Sequence, residues 1–485
     1  MLKCLAHADA ITFLRTDIVA DIGFVGGNHL GRSRIIDSER SINWYVEVES
    51  PTSNKPVALV PTPGVGAPKG TLGGVSRGER VVGNVLYVVA SGTLWSINAA
   101  YVSTNLGSLT TTTGRIKMSD NGSQLMIVDG ANGYIFDTGT STFTQIADAD
   151  FPNGTDDVTY QDGYFICPIK NGNTYAISAL NDGLAWNALD IGIANGTPTD
   201  IVAVMSDHQL LWFFKEDAIE LHYNNGNADF PFQRMQGAFQ EVGCAAKYSP
   251  AKLDGSVFWL AKSPRGEVIV YRAQGYSKSR VSDHQIEFIL DSYATVSDAI
   301  GMSYVEEGHS FYALTFPTAD ATWVYDAASG LWHERKSYTG TSWGRWMANH
   351  ITSFNGETHI TDYRNSNIYV LSHAEYEEDG QFIRRLRACR HINNDRKRLS
   401  FSSFEVIMER GAGLVSGQGV DPKVMIRISK DGGYTWSNEH WVSAGKIGEY
   451  QVRAKLNRLG IGRDWVFEVS VTDPIAWHIV EANLQ

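Results

Sequence analysis

The chain is a succession of short apolar runs separated by tight turns. Val85-Leu-Tyr-Val-Val89, Gln124-Leu-Met-Ile-Val128, Tyr164-Phe-Ile-Cys167 and Val257-Phe-Trp-Leu260 are rich in β-branched and aromatic side chains, as strands are. Between such runs lie seven Asn-Gly and six Asp-Gly pairs, whose tolerance of φ > 0 suits two-residue hairpin turns. No window carries a 3.6-residue apolar period over any length. The pattern predicts an all-β protein, mostly antiparallel.

The runs recur. A strand–turn–strand–turn–strand pattern appears near Gly83, Gly122, Gly163, Asp207, Gly255, Gly308 and Gly356, at spacings of 39, 41, 44, 48, 53 and 48 residues. Three or four strands in that length make one blade of a β-propeller. Seven units fit, as do six with one outlying hairpin, so residues 76–385 read as a propeller of about six or seven blades. A pair of β-sandwiches is the alternative, but sandwiches rarely hold one spacing through seven units.

The ends differ from the repeats. Within residues 1–75, Pro51, Pro56, Pro61, Pro63 and Pro68 crowd into eighteen positions. That density precludes a sheet interior and predicts an extended N-terminal arm, laid on this subunit's own propeller or on a neighbour. Arg384, Arg385, Arg387, Arg390, Arg396, Lys397 and Arg398 then form the strongest basic cluster, opposed by Asp395 alone. It reads as a solvated strand or linker, or as a docking strip for an acidic partner or for DNA. The cluster opens a last region, 386–485, where Val424–Ser429, Gly448–Leu456 and Val466–Val471 predict the strands of a small β-sandwich.

Composition narrows the function classes. At 485 residues the chain exceeds one ordinary core, so several domains are expected. Only 19% of residues are charged, so the surface must rest on Ser, Thr, Asn and Gly, as in many extracellular or virion β-proteins. A net charge of −12 runs against tight, sequence-neutral DNA binding, yet suits a channel wall along which DNA slides without sticking. Cys4, Cys167, Cys244 and Cys389 are far apart and read as free thiols. His7, Asp9 and Asp17 interrupt the first 25 residues, which predict neither a signal peptide nor a membrane span.

Ser429-x-Asp431-x-Gly433-x-Thr435-Trp436 fits an Asp-box hairpin. Ser429 and Asp431 can hold the turn amides, Gly433 can take φ > 0, and Trp436 packs beneath the loop. Alone the box suggests a sialidase-like glycosidase, but such enzymes carry several boxes, an arginine triad and a Tyr–Glu pair, and no motif here ties residues into that set. A phosphate loop, an H-E-x-x-H helix and a G-x-S-x-G elbow are likewise missing, so no catalytic, cofactor or metal residue is assigned. His208, His222, His350 and His359 read as ordinary strand residues. Trp323, Trp332, Trp343 and Trp346 read as blade core before they read as a sugar platform.

Both ends of the chain resemble one family. The N-terminal residues are Gly23-Phe-Val-Gly-Gly27, Arg40-x-Ile42-Asn43-x-Tyr45 and Pro61-Thr-Pro63-Gly64. The C-terminal ones are Gly411-x-Gly413, Pro422, the box itself, Gly445-Lys446-x-Gly448-Glu-Tyr450, Arg453, Arg458-Leu-Gly460, Arg463 and Asp473-Pro474. Leu456-Asn457 departs from the pattern, where an aromatic residue is expected before Arg458. In their order these resemble the packaged-DNA stabilisation, or tail-hub (nozzle), proteins of short-tailed phages. The resemblance implies a structural protein of the virion tail, assembled in the bacterial cytoplasm, with no enzymatic activity and no cofactor. It implies a ring, usually of six copies, below the head-to-tail adaptor, which extends the DNA channel, retains packaged DNA and serves in genome ejection. The implied partners are the adaptor, a tail needle, tailspikes or fibres, and double-stranded DNA that passes without specific binding. A carbohydrate-binding or carbohydrate-degrading propeller is the alternative reading, either a receptor-binding protein or a sialidase-like depolymerase. A generic interaction scaffold is a third.

Overall fold

The computed structural model describes residues 20–30, 32–33, 35–263, 265–395 and 397–485. Ser76–Val82, Val85–Ala90, Thr93–Ile97 and Ser103–Ser108 form a first antiparallel sheet in chain order. Residues 117–145, 159–193, 201–234 and 251–280 repeat that four-stranded meander as the second to fifth sheets. Residues 300–334 make the sixth, and Ala348–Phe354, Glu357–Asp362 and Asn367–Ser372 the core of the seventh. Every recurrent turn read from the sequence joins the first and second strands of one sheet. Six of these turns use a glycine at positive φ, from +59° at Gly83 to +94° at Gly163. The fourth uses His208 and Gln209 at +48° and +60° instead.

The sheets close into a ring, with one apolar cluster in each gap. Leu125 and Ile127 meet Tyr87 and Val89, Trp212 and Phe214 meet Trp259, and Phe258 meets Tyr312. Leu86, Val88 and Ile97 of the first sheet pack on Phe354 and Ile368 of the seventh, which completes the circle. Asn349 ties the same seam by donating to the Ser76 carbonyl at 2.7 Å. This is a β-propeller.

The longest spacing, from Gly255 to Gly308, holds an eight-residue helix, His284–Asp291, that the periodicity did not announce. Asp283 caps it by accepting from the Ile286 amide at 2.8 Å, and Ile286 and Leu290 enter the gap between the fifth and sixth sheets. Two turns are too few for a helical period to stand out from strand alternation.

Residues 384–485 form the β-sandwich, but not alone. In one of its sheets Leu399–Met408 lies between Ala454–Gly462 and Ile479–Leu484, and the N-terminal hairpin Trp44–Val48 and Val57–Pro61 extends it through Leu59 and Ile479. In the other, Arg385–Ala388 lies between Ser38–Ile42 and Asp464–Val471, followed by Lys423–Ser429 and His440–Ser443. Trp44, Phe404, Trp465, Phe467 and Trp477 fill the space between the two sheets. The expected strand at Gly448–Leu456 is displaced to Ala454–Gly462, because Gly445 and Gly448, at φ of +94° and +83°, turn the chain before it.

The N-terminal segment therefore departs from a surface-laid arm: its described part enters both domains. After the hairpin, Gly64–Val65 and Gly70–Thr71 pair with Asn367–Ser372 on the outer edge of the seventh sheet. The prolines are accommodated where no ladder N–H is needed. Pro51 and Pro56 lie in the hairpin connection, Pro61 ends its strand, and Pro63 and Pro68 lie in links.

Candidate docking surfaces and the join between the domains

The basic cluster does not form one exposed strip. Arg385 and Arg387 sit on an interior strand and point to the same side of it, so both are buried. The Arg387 guanidinium donates to the Phe24 carbonyl at 2.8 Å, the Gly27 carbonyl at 2.6 Å and Glu39 Oε1 at 2.7 Å. Arg385 reaches the Thr62 carbonyl at 3.3 Å, and burial beside the Arg335 cation pushes its pKa down to about 9. These two residues fasten the N-terminal segment and are closed to a partner, which corrects the docking assignment for them. Arg384 is half-buried, donates to Glu439 at 3.1 Å and lies over the Tyr338 and Trp343 rings. Arg390, Lys397 and Arg398 are exposed, and Arg396 lies outside the described residues.

The join itself is polar and buried. Glu334, on the outer strand of the sixth sheet, accepts from Arg40 at 2.7 and 3.0 Å and faces Lys336 Nζ at 2.8 Å. Burial alone would raise its carboxyl; the Arg40 and Lys336 cations outweigh that and hold it below the ordinary range. Asn43, at φ +58°, donates its side-chain amide to the carbonyls of Lys336 and Arg384, both at 2.8 Å. Arg335 donates to the Pro63 carbonyl at 2.7 Å and stacks 3.8 Å from the centre of the Trp346 ring. The propeller and the sandwich are thus locked by hydrogen bonds to backbone that surface charge alone would not supply.

Elsewhere on the sandwich the Asp-box hairpin is built from short-range bonds. Ser429 Oγ donates to Asp431 Oδ1 at 2.7 Å and accepts from the Gly433 amide at 2.8 Å. Asp431 accepts from the Thr435 amide at 2.9 Å and from the Thr435 hydroxyl at 2.6 Å. Gly433 takes φ +86°, and Trp436 packs on the sandwich core under the Arg427 guanidinium. The two Thr435 bonds, hydroxyl first, hold the Asp431 carboxyl down to about 2. Its contribution to stability is therefore present above the ordinary carboxylate pKa of about 4 and is lost as the pH falls through about 2. An Asp431→Ala chain should lose about 1 kcal/mol in urea melts near pH 7, with faster hydrogen exchange at Thr435, and the deficit should shrink as the pH falls through about 2.

The hairpin forms a ridge between two grooves. One, of about 380 Å³, is lined by Trp436, His440, Leu456 and Arg458. The other, of about 840 Å³, is lined by Ile35, Arg398, Tyr434 and Ile461. Lys430 borders both. A second exposed apolar surface lies on the propeller, where the outer strand of the third sheet, Asp182–Ile193, turns Leu184, Leu189, Ile191 and Ile193 to solvent. The sequence reading missed it, although Leu189, Ile191 and Ile193 alternate with Asp190 and Gly192.

The four histidines singled out in the sequence share no common site. His222 bonds the Tyr175 hydroxyl at 3.0 Å, His359 the Tyr101 hydroxyl at 2.7 Å and His350 the Ser76 hydroxyl at 3.2 Å, each on a different sheet edge or seam. His208 lies in a turn rather than a strand, against Asp207 at 2.6 Å. Trp323, Trp332 and Trp346 are core, and Trp343 lies in a hairpin at the join against Tyr338. Among the described residues no three His, Cys, Asp or Glu side chains are grouped to hold a metal ion, and Cys167, Cys244 and Cys389 are buried free thiols.

The family description "Bacteriophage P22 Gp10, beta-propeller", of the phage stabilisation family, matches residues 41–376, and "Bacteriophage P22 Gp10, beta-sandwich" matches residues 384–485. The chain belongs to the P22 Gp10 family. The boundary between the two matches falls in the link from the seventh sheet to the strand that carries Arg385 and Arg387. Gp10-family membership makes this a phage structural protein associated with the virion. No curated protein matches the chain. Among solved structures, it is similar to the computationally designed Ika8 protein at 12% identity and TM-score 0.38, over 69% of this chain and 99% of that one. The WD40 propeller domain of Doa1 is similar at 12% identity and TM-score 0.36, over 63% and 95%. The N-terminal domain of Nup159 is similar at 7% and 0.38, over 69% and 99%.

Proposed function

We propose that this Gp10-family chain is the tail hub, or nozzle, of a short-tailed phage. Six copies form a ring below the head-to-tail adaptor, continue the DNA channel, retain the packaged genome and release it at ejection. The tail needle and the tailspikes or fibres attach to the same ring. The observation that carries this reading is the ordered match of both family domains, which together span residues 41–376 and 384–485. The buried join supports it mechanically, because a channel wall under the pressure of packaged DNA requires domains that do not hinge freely. The charge supports it as well. Six copies at −12 carry −72, so DNA is guided by repulsion and must be retained by a physical plug.

Particles assembled without this protein are expected to package DNA and then lose it, and adding the purified chain back should stop the loss. Retention of DNA in its absence would overturn the assignment. Gel retardation of duplex DNA by the purified chain at low salt would overturn the sliding-channel part. Breakdown of host polysaccharide by the purified chain would favour the depolymerase reading instead.

A further inference from the structure

The charge of the chain is divided very unevenly. Between Lys117 and Arg234 there are sixteen Asp and Glu, two Lys and no Arg, a net −14. That stretch is the second, third and fourth sheets of the propeller. Residues 384–485 hold sixteen Lys and Arg against eleven Asp and Glu, a net +5. The molecule is thus acidic on one part of its propeller and basic on its sandwich.

Each part also carries one of the exposed apolar surfaces. The outer strands of the first, second, fourth and fifth sheets are 3 to 6 residues long and show mainly hydroxyl, amide and charged side chains to solvent. The outer strand of the third sheet is 12 residues long, with Leu189 86% and Ile193 53% exposed. It is the edge strand of its sheet, and with the Gly183, Trp186 and Leu189 amides already bonded to side chains it offers a neighbour chiefly its apolar side chains. On the sandwich, Tyr434 and Ile461 are each 58% exposed beside Arg398, Lys430 and Arg463, with Asp395 in the same groove and with Asp431 and Asp464 there already engaged by Thr435 and His391. Exposed apolar surface beside charged groups marks an interaction face.

The topology keeps these faces apart within one chain. The sandwich is bonded to the sixth sheet through Ile42 and Glu334, and the strap that enters it is bonded to the seventh through Val65 and Leu371. In a closed ring of seven sheets, the third lies directly across from the join of the sixth and seventh. One face therefore cannot satisfy the other in the same copy, whereas two different faces at opposite ends allow a head-to-tail array that closes as a ring.

We propose that the acidic, apolar edge of the third sheet in one copy seats on the basic Asp-box face of the sandwich in the next copy. The proposal rests on the ring reading given above and identifies the surfaces that make the ring. Leu189 and Ile193 supply the apolar contact against Tyr434 and Ile461. Asp182 and Asp190 lie towards Arg398, Lys430 and Arg458. The exposed end of the basic cluster, Lys397 and Arg398, then serves as the docking strip for an acidic neighbour, and that neighbour is a second copy of this chain. The Asp-box acts here as a stiff support for Tyr434 rather than as a relic of sugar chemistry.

Two full-length variants test the pairing, each in a Cys4→Ser background: Leu189→Cys and Ile461→Cys. They are treated with a short bis-maleimide, singly and mixed, with the head-to-tail adaptor present. Sedimentation of the untreated wild-type chain with the adaptor is followed in parallel. A covalent dimer that forms only in the mixture is the expected result. A Leu189→Arg chain should also associate at least about ten-fold more weakly, and raising the salt should weaken association of the wild type. A dimer from Leu189→Cys alone would show two-fold pairing of sheet edges and overturn the proposal. Rings in sedimentation without a cross-link in the mixture would overturn these surfaces and leave the ring reading intact. A chain that remains monomeric with the adaptor throughout would overturn both.

Discussion

Replacing Arg387 with methionine is expected to destabilise the folded chain by about 3–5 kcal/mol, the cost of breaking a buried charge pair from one side. The guanidinium is fully buried and serves three acceptors at once: the carbonyls of Phe24 and Gly27, and Glu39. Methionine fills much of the volume but leaves both carbonyls and a largely buried carboxylate without their donor, so desolvation is no longer offset. Lysine keeps the charge but cannot span three acceptors with one ammonium, so Arg387→Lys should lose most of the same stability. Removing Glu39 as well should restore part of it, since the double variant Arg387→Met with Glu39→Met buries no unpaired ion. Urea melts followed by tryptophan fluorescence measure this directly, because Trp44, Trp465 and Trp477 report on the sandwich that Arg387 helps to hold. A loss below about 1 kcal/mol for Arg387→Met would mean that the three bonds are replaced by water and that the fastening is not structural.

The propeller was legible in the sequence because its signals are local. Gly163 marks a turn by its own φ preference, and the strands on either side of it pair with each other. The sandwich was legible only in part, because its pairings are remote. Arg387 and Glu39 are 348 residues apart, and nothing in the run from Arg384 to Arg398 distinguishes the two guanidinium groups that turn inward from those that stay in solvent. Basic composition reads as a surface, whereas burial here is decided by an N-terminal segment that covers the strand. That segment was itself misjudged. Ile42, Trp44 and Val46 carried a readable alternation, but five prolines nearby favoured an extended arm, and proline density does not show whether each ring falls inside a strand or at its end. The reverse error hid Leu189, Ile191 and Ile193. Alternating apolar residues read as a half-buried strand, and only the fold shows that their outward side has nothing packed on it. The Asp-box is the most local feature of the sandwich, because every bond within it spans no more than five residues.

The C-terminal unit should fail to fold when it is cut out along the boundary of the second family match. Residues 384–485 alone lack the strand Ser38–Ile42 beside Arg385–Ala388 and the hairpin beside Ile479–Leu484. They also lack Trp44 and Leu59, both fully buried in the core, and the Trp44 indole that donates to the Trp477 carbonyl at 2.9 Å. Loss of one large buried aromatic costs about 3–5 kcal/mol, and loss of a leucine about 2–5 kcal/mol, which together approach the whole stability of a domain of this size. The opened strand would also expose Arg385 and Arg387 without acceptors and leave an unpaired sheet edge, which favours aggregation. The isolated fragment is therefore expected to show no cooperative urea transition and to aggregate as the temperature rises. Co-expression with a second fragment, residues 20–62, should restore a cooperative transition and a single complex on size exclusion. The same complementing fragment with Trp44→Ala should restore it poorly. Cooperative unfolding of residues 384–485 alone would show that the N-terminal strands decorate a self-sufficient sandwich. Failure of the fragment alone together with rescue by residues 20–62 would show instead that the sandwich is completed by the other end of the chain, so that the two domains are joined through their cores.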